Sequence, residues 1–144
     1  MKTSLIGLTA CLIGMSAWAQ ADLAASAAKA KGALVTPSGL VYRSLKEGSG
    51  PSPAETDRVR VHYRGTFADG KEFDSSYARN QPAEFPLNRV IKCWTEGVQR
   101  MKVGGKALLV CPPGIAYGEA GAGGVIPPNT TLQFEVELLG IAGK

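Results

Sequence analysis

Residues 57–64, DRVRVHYR, alternate without a break: Val59, Val61 and Tyr63 fall on one side of an extended chain, Arg58, Arg60, His62 and Arg64 on the other. A period of two is what a strand with one buried and one wet face requires, and it predicts a sheet that covers a core on one side only. A second run has the same period, with Leu132, Phe134, Val136 and Leu138 facing one way and Gln133, Glu135 and Glu137 the other. Between them Ala107–Cys111, ALLVC, is continuously apolar, which suits a strand lying between a sheet and a helix. Upstream, Thr36-Pro37-Ser38-Gly39 marks a boundary, Leu40–Leu45 reads as the first strand, and residues 48–53, GSGPSP, as a loop. Ala68-Asp69-Gly70 is a hairpin signal leading into residues 71–76, KEFDSS.

From Asn88 the period changes. Val90, Ile91, Trp94, Val98 and Met101 follow one another at spacings of one, three, four and three, a single apolar stripe on a helix with Asn88 as its cap and Val103-Gly104-Gly105 as its exit. One helix against an antiparallel sheet makes the fold class α+β. Glycine and proline, 18 and 9 residues of 144, are spread between apolar runs, so the composition is that of a turn-rich β protein. The length suits one domain.

The first nineteen residues, MKTSLIGLTACLIGMSAWA, combine one lysine, an apolar run and the small-x-small end Ala17-Trp18-Ala19, the pattern of a cleaved secretory signal. The run is too short and too often interrupted for a transmembrane helix. Leu8-Thr9-Ala10-Cys11 offers a second reading, lipid anchoring through Cys11 after cleavage. An exported protein is expected, the periplasm favoured over secretion, with no membrane contact after cleavage. Residues 20–35 are alanine-rich and expected as a mobile leader, because so short a helix is marginal on its own.

Several chemistries are excluded. His62 is the one histidine and shares a face with three arginines, so it is expected in solvent, and there is no Gly-x-Ser-x-Gly elbow for a nucleophile. One histidine and two cysteines beyond the leader show no metal-ligand spacing, and Gly104-Gly105-Lys106-Ala107 lacks the first glycine and the Ser/Thr of a phosphate loop. No cofactor or metal is expected. The net charge of +4, or +3 without Lys2, is scattered and has no aromatic stacking series beside it, so no nucleic-acid partner is expected.

Five stretches taken in order carry a resemblance. Val61-His62-Tyr63-Arg64-Gly65, residues 70–76 (GKEFDSS), Val90-Ile91 through Trp94-Thr95-Glu96-Gly97, Ala116-Tyr117-Gly118, and residues 125–132 (VIPPNTTL) are similar to the successive signatures of the FKBP-type peptidyl-prolyl cis-trans isomerases, over residues 36–142. The resemblance implies a curved antiparallel sheet of five or six strands wrapped around one short helix, with a pocket between them. It implies a pocket lined by Tyr63, Phe73, Phe85 and Val90, with Trp94 as the floor and Phe134 beside it. Val125 and Ile126 would form an apolar wall behind a glycine-rich flap at 118–124. Tyr117 and the backbone N–H of Ile91 would hold substrate oxygens. Asp74 would place its carboxylate near the rotating carbonyl carbon, or else merely stiffen its loop through an ion pair with Arg79.

The implied activity is rotation about X-Pro bonds in the folding of exported proteins. The other class of function is a module or chaperone that holds proline-containing segments with little turnover. Proline-containing polypeptides and macrolides of the tacrolimus and rapamycin type are the implied partners. Cys93 and Cys111 depart from the family pattern. Since helix and strand pack together in that architecture, a disulfide between them is expected, with two buried thiols as the other reading. Some exported relatives carry a helical dimerisation arm for which residues 20–35 are too few, so a monomer is expected.

Overall fold

The structure, a computed structural model, describes residues 27–29 and 32–142. The signal reading of residues 1–19, the lipid-anchor reading of Cys11 and most of the leader lie outside the described residues. Seven strands form one sheet: β1 (Ala33–Val35), β2 (Val41–Lys46), β3 (Arg58–Thr66), β4 (Glu72–Ser75), β5 (Ala83–Pro86), β6 (Lys106–Cys111) and β7 (Leu132–Ile141). Helix α1 (Lys92–Gln99) is inserted between β5 and β6. The order across the sheet is β1-β2-β6-β7-β3-β4, every pairing is antiparallel, and β5 also pairs with β3.

The α+β reading holds, and two strands join those legible in sequence. Ala33–Val35, placed in the mobile leader by composition, pairs with Val41–Arg43 as an edge strand. Alanine content set that expectation, whereas the neighbouring strand's free backbone edge decides the outcome. β5 shares one edge of β3 with β4: Arg58–Val61 face Pro86–Ala83, and Arg64–Thr66 face Ser75–Glu72. Register shifts interrupt β2–β6, β3–β4 and β3–β7, and such bulges bend strands and increase twist. The sheet therefore curls around α1.

Val59, Val61 and Tyr63 are buried as the alternation requires, as are Leu132, Phe134, Val136 and Leu138, while Arg58, Arg60 and Arg64 are exposed. Cys93, Trp94, Gly97 and Val98 form the buried face of α1. At Gly97 a Cβ would come within 2.8 Å of Leu109 Cδ2, so the missing side chain lets helix and β6 approach closely. The Sγ atoms of Cys93 and Cys111 are bonded in the same contact, and both residues are fully buried.

The helix begins later than the apolar stripe suggests. Leu87–Arg89 form a 3-10 turn, Val90 is extended (φ −111°, ψ 176°), and Ile91, with ψ 151°, occupies the N-cap position expected for Asn88. Two consecutive β-branched residues favour extended backbone there. The Thr95 hydroxyl then donates to the Leu87 carbonyl at 2.7 Å and ties turn to helix. Val90 and Ile91 thus leave the helix and become available to a pocket. The helix also ends at Gln99, before the exit expected at Val103–Gly105.

Candidate active site

Aromatic side chains from four strands and the helix converge on one concavity. Tyr63 comes from β3, Phe73 from β4, Phe85 from β5, Trp94 from α1 and Phe134 from β7. Trp94 is the hub. Its ring meets Tyr63, Phe85 and Phe134 edge-on at centroid separations of 5.2, 5.5 and 5.4 Å, with interplanar angles of 82°, 90° and 88°. Edge-to-face packing of this kind fixes ring orientation as well as burying area. The Trp94 Nε1 donor is buried without a partner among the described residues.

Phe73 stands against Phe134 at 5.6 Å, also edge-on. Gly65 makes that possible, because a Cβ there would sit 2.5 Å from Phe73 Cζ and 2.9 Å from Phe134 Cε1. The pocket they enclose is ≈ 450 Å³, and Asp74, Arg89, Val90, Ile91 and Tyr117 complete its lining. That volume and an apolar body with a few polar groups are the usual features of a ligand site.

Polar groups are grouped on one side. Tyr63 Oη donates to Asp74 Oδ2 at 2.5 Å, Arg79 Nη1 donates to Asp74 Oδ1 at 2.6 Å, and Arg79 Nη2 reaches Tyr63 Oη at 2.9 Å. The guanidinium also lies 5.7 Å from the centre of the Tyr63 ring. Asp74 forms the expected ion pair with Arg79 and also lines the pocket. Burial by itself would raise the Asp74 carboxyl, but the hydrogen bonds from Tyr63 and Arg79 and the Arg79 charge outweigh it, and the net direction is downward. Burial, and then the bond to Asp74, raises the Tyr63 phenol, so it stays a donor. Burial also raises the Tyr117 phenol, with the charge of Asp74 adding to it.

The lowered carboxyl has a sign that can be checked. A group whose folded pKa lies below its unfolded value contributes stability above the unfolded pKa, and that contribution is lost as pH falls through the folded one. A carbon-detected NMR titration of the Asp74 carboxyl is expected to give a midpoint below the ordinary 3.8. A midpoint above 3.8 would show that burial wins over the two bonds.

Behind this group, Ser76 Oγ accepts the Tyr63 N–H at 2.8 Å and lies 2.7 Å from His62 Nδ1. His62, expected in solvent, is half-buried and stacked on Tyr77 at 4.6 Å, because the chain after β4 folds back across the outer face of β3. The alternation of β3 shows which face His62 occupies but cannot show what later covers that face.

Of the eleven residues singled out in sequence, Tyr63, Phe73, Asp74, Phe85, Val90, Ile91, Trp94, Tyr117 and Phe134 line the pocket, and Val125 and Ile126 line a second depression. Val125 is 55% exposed in that depression, which the 120–128 segment forms. Ile126 is buried in the core cluster that also holds Tyr63, Trp94 and Phe134, and it exchanges two 2.9 Å backbone hydrogen bonds with Ala122 at the base of its loop. Tyr117 follows a 3-10 turn at Pro113–Ile115 and stands at the mouth, 40% exposed. Arg89 is the lining residue that sequence reasoning missed. Its position directly before Val90-Ile91 was the available signal.

A family model described as FKBP-type peptidyl-prolyl cis-trans isomerase matches residues 50–139. The chain is 53% identical over 114 residues to the FKBP-type peptidyl-prolyl cis-trans isomerase FkpA of Escherichia coli K12, covering 79% of this chain and 42% of that one. It is 56% identical over 114 residues to the FKBP-type 22 kDa peptidyl-prolyl cis-trans isomerase of the same strain, covering 79% and 55%. The chain thus spans about half the length of these curated relatives. Among solved structures it is similar to a peptidyl-prolyl cis-trans isomerase from Pseudomonas syringae, with TM-score 0.79, 40% identity, and 86% and 91% of the two chains covered. The crystal structure of Escherichia coli FkpA aligns with TM-score 0.77 and 49% identity over 85% of this chain and 60% of that one.

Proposed function

Because the chain belongs to the FKBP-type peptidyl-prolyl cis-trans isomerases, we propose that its pocket accelerates rotation about X-Pro bonds in the folding of exported polypeptides. The observation that carries this reading is the apolar cup around Trp94 with one ionised carboxylate and two phenols on its rim. The task is to lower a rotational barrier of about 18–20 kcal/mol that arises from amide resonance. No bond is broken, so neither a nucleophile nor a metal is required.

As the amide twists, nitrogen and carbonyl uncouple and the amide dipole shrinks. A water-poor aromatic surface disfavours that state less than the planar one, which is stabilisation specific to the transition state. The prolyl ring packs against Trp94 and Phe134. The Ile91 N–H, free of helix bonding at the N-cap, and the Tyr117 hydroxyl take the flanking carbonyl oxygens. Asp74, held ionised by Tyr63 and Arg79, supplies a fixed negative charge beside the rotating carbonyl. A ten-thousandfold acceleration needs only about 5–6 kcal/mol from these effects together.

The test is a protease-coupled isomerisation assay on Leu-Pro and Phe-Pro peptides, with and without tacrolimus. Acceleration that the macrolide abolishes is expected. Binding of peptide without acceleration would leave only the holding module. In the same assay Asp74→Leu is expected to reduce turnover by about tenfold, equivalent to ~1.4 kcal/mol, while peptide still binds. Full activity in that variant removes Asp74 from the mechanism. No helix among the described residues is long and apolar enough to cross a membrane. The signal-like residues 1–19 support a periplasmic location, and fractionation of the expressing cells tests it.

A further inference from the structure

We propose that Arg89 makes this pocket select prolyl bonds flanked by an acidic residue. The inference rests on the isomerase reading above and names a substrate class for it. Two lining residues, Asp74 and Arg89, carry formal charge, and their situations differ. Both Asp74 oxygens are engaged, Oδ1 by Arg79 and Oδ2 by Tyr63, so that charge is matched before any ligand arrives. Arg89 is exposed, and among the described residues no carboxylate lies within ion-pair distance of its guanidinium.

Arg58 is paired with Glu84 at 3.1 Å, Arg64 with Glu72 at 2.9 Å and Arg100 with Glu96 at 3.7 Å, while Arg43 and Arg60 have no ion pair among the described residues but do not line the pocket. Arg89 instead ends the 3-10 turn, immediately before the Val90-Ile91 backbone that lines the pocket. Lys92, exposed in the first turn of α1, adds a second cation without an ion pair among the described residues. Arg89 therefore brings to this side of the rim a positive charge that no carboxylate among the described residues matches, with Lys92 close by in sequence. A guanidinium offers five N–H donors in a fork that fits a carboxylate, so its complement is a Glu or Asp side chain held near it when the neighbouring prolyl ring is seated on Trp94.

The experiment is kcat/KM for three matched peptide series, with Glu, Ala or Lys placed before or after the proline, on the wild type, Arg89→Gln and Arg89→Glu. The wild type is expected to favour Glu over Lys by roughly fivefold at low salt in one of the two positions, the size that an exposed ion pair allows. At about 1 M salt the ratio should approach one. In Arg89→Gln the ratio should also approach one, and in Arg89→Glu it should invert. Equal rates for Glu and Lys peptides in the wild type overturn the inference, as does a Glu preference that survives in Arg89→Glu. Should a variant fail to fold by circular dichroism, the salt dependence of the wild-type ratio decides. The alanine peptide separates the two levels: acceleration that ignores charge defeats only the selectivity, whereas no acceleration of the alanine peptide by the wild type defeats the isomerase reading beneath it.

Discussion

Trp94→Ala is expected to lower the unfolding free energy by about 3–5 kcal/mol, the usual cost of emptying a buried aromatic site. Trp94 is 4% exposed and touches three other rings edge-on, so its removal leaves Tyr63, Phe85 and Phe134 facing a void that α1 and three strands cannot close together. Isomerase turnover is expected to fall on the order of a hundredfold, because a floor displaced by about 1 Å costs that much in orientation alone. Urea titration followed by far-ultraviolet circular dichroism reads the first effect. Tryptophan fluorescence cannot, since Trp94 is the one tryptophan beyond the first nineteen residues. Trp94→Phe separates the two effects: it refills most of the volume, so stability should largely return while turnover stays reduced. Wild-type turnover in Trp94→Ala would show that substrate does not sit on this ring.

The second large effect concerns the bond between Cys93 and Cys111. It spans 18 residues and joins the first turn of α1 to the end of β6, one residue from Trp94. A closed loop of that size is worth about 3 kcal/mol through the restricted unfolded chain. The double variant Cys93→Ala with Cys111→Val keeps the site apolar and removes only the link. Its melting temperature is expected to drop by roughly 10 °C, measured by scanning calorimetry, and to become insensitive to reductant. Because both cysteines are fully buried, reductant should reach the wild-type bond only through unfolding. A thiol titration of the denatured protein lacking residues 1–19 should find no free group. Two free thiols would refute the bridge, and an unchanged melting temperature would show that it adds no stability.

The parts of the fold that were legible in sequence share a cause. Strands β3 and β7 and the buried stripe Trp94-Val98-Met101 were readable because each element meets water and core at once, and that boundary is written into residue spacing. β1 and β5 were not readable as strands. Three or four residues hold too few periods, and both exist because a longer neighbour offers an unpaired edge. Val90 and Ile91 fitted a helical stripe and an extended wall equally well. Pro86, the 3-10 turn and the Thr95 bond to Leu87 chose the second.

At the site, the inward direction of Tyr63 and Phe134 followed from alternation, and the order of five motifs pointed to the family and to the other lining residues except Arg89. The chain alone therefore determined which faces are apolar, that the sheet has one covered side, and which aromatic residues can enter a pocket, since those properties depend on neighbours a few positions apart. Tertiary structure alone decided that Asp74 is matched by both Arg79 and Tyr63, that His62 is covered by Tyr77, that Ile126 pairs with Ala122 at the base of its loop, and that Arg89 stands on the rim without an ion pair among the described residues. Each of those is a meeting between residues from different turns or strands, whose distance is set by the curvature of the sheet and by no local pattern.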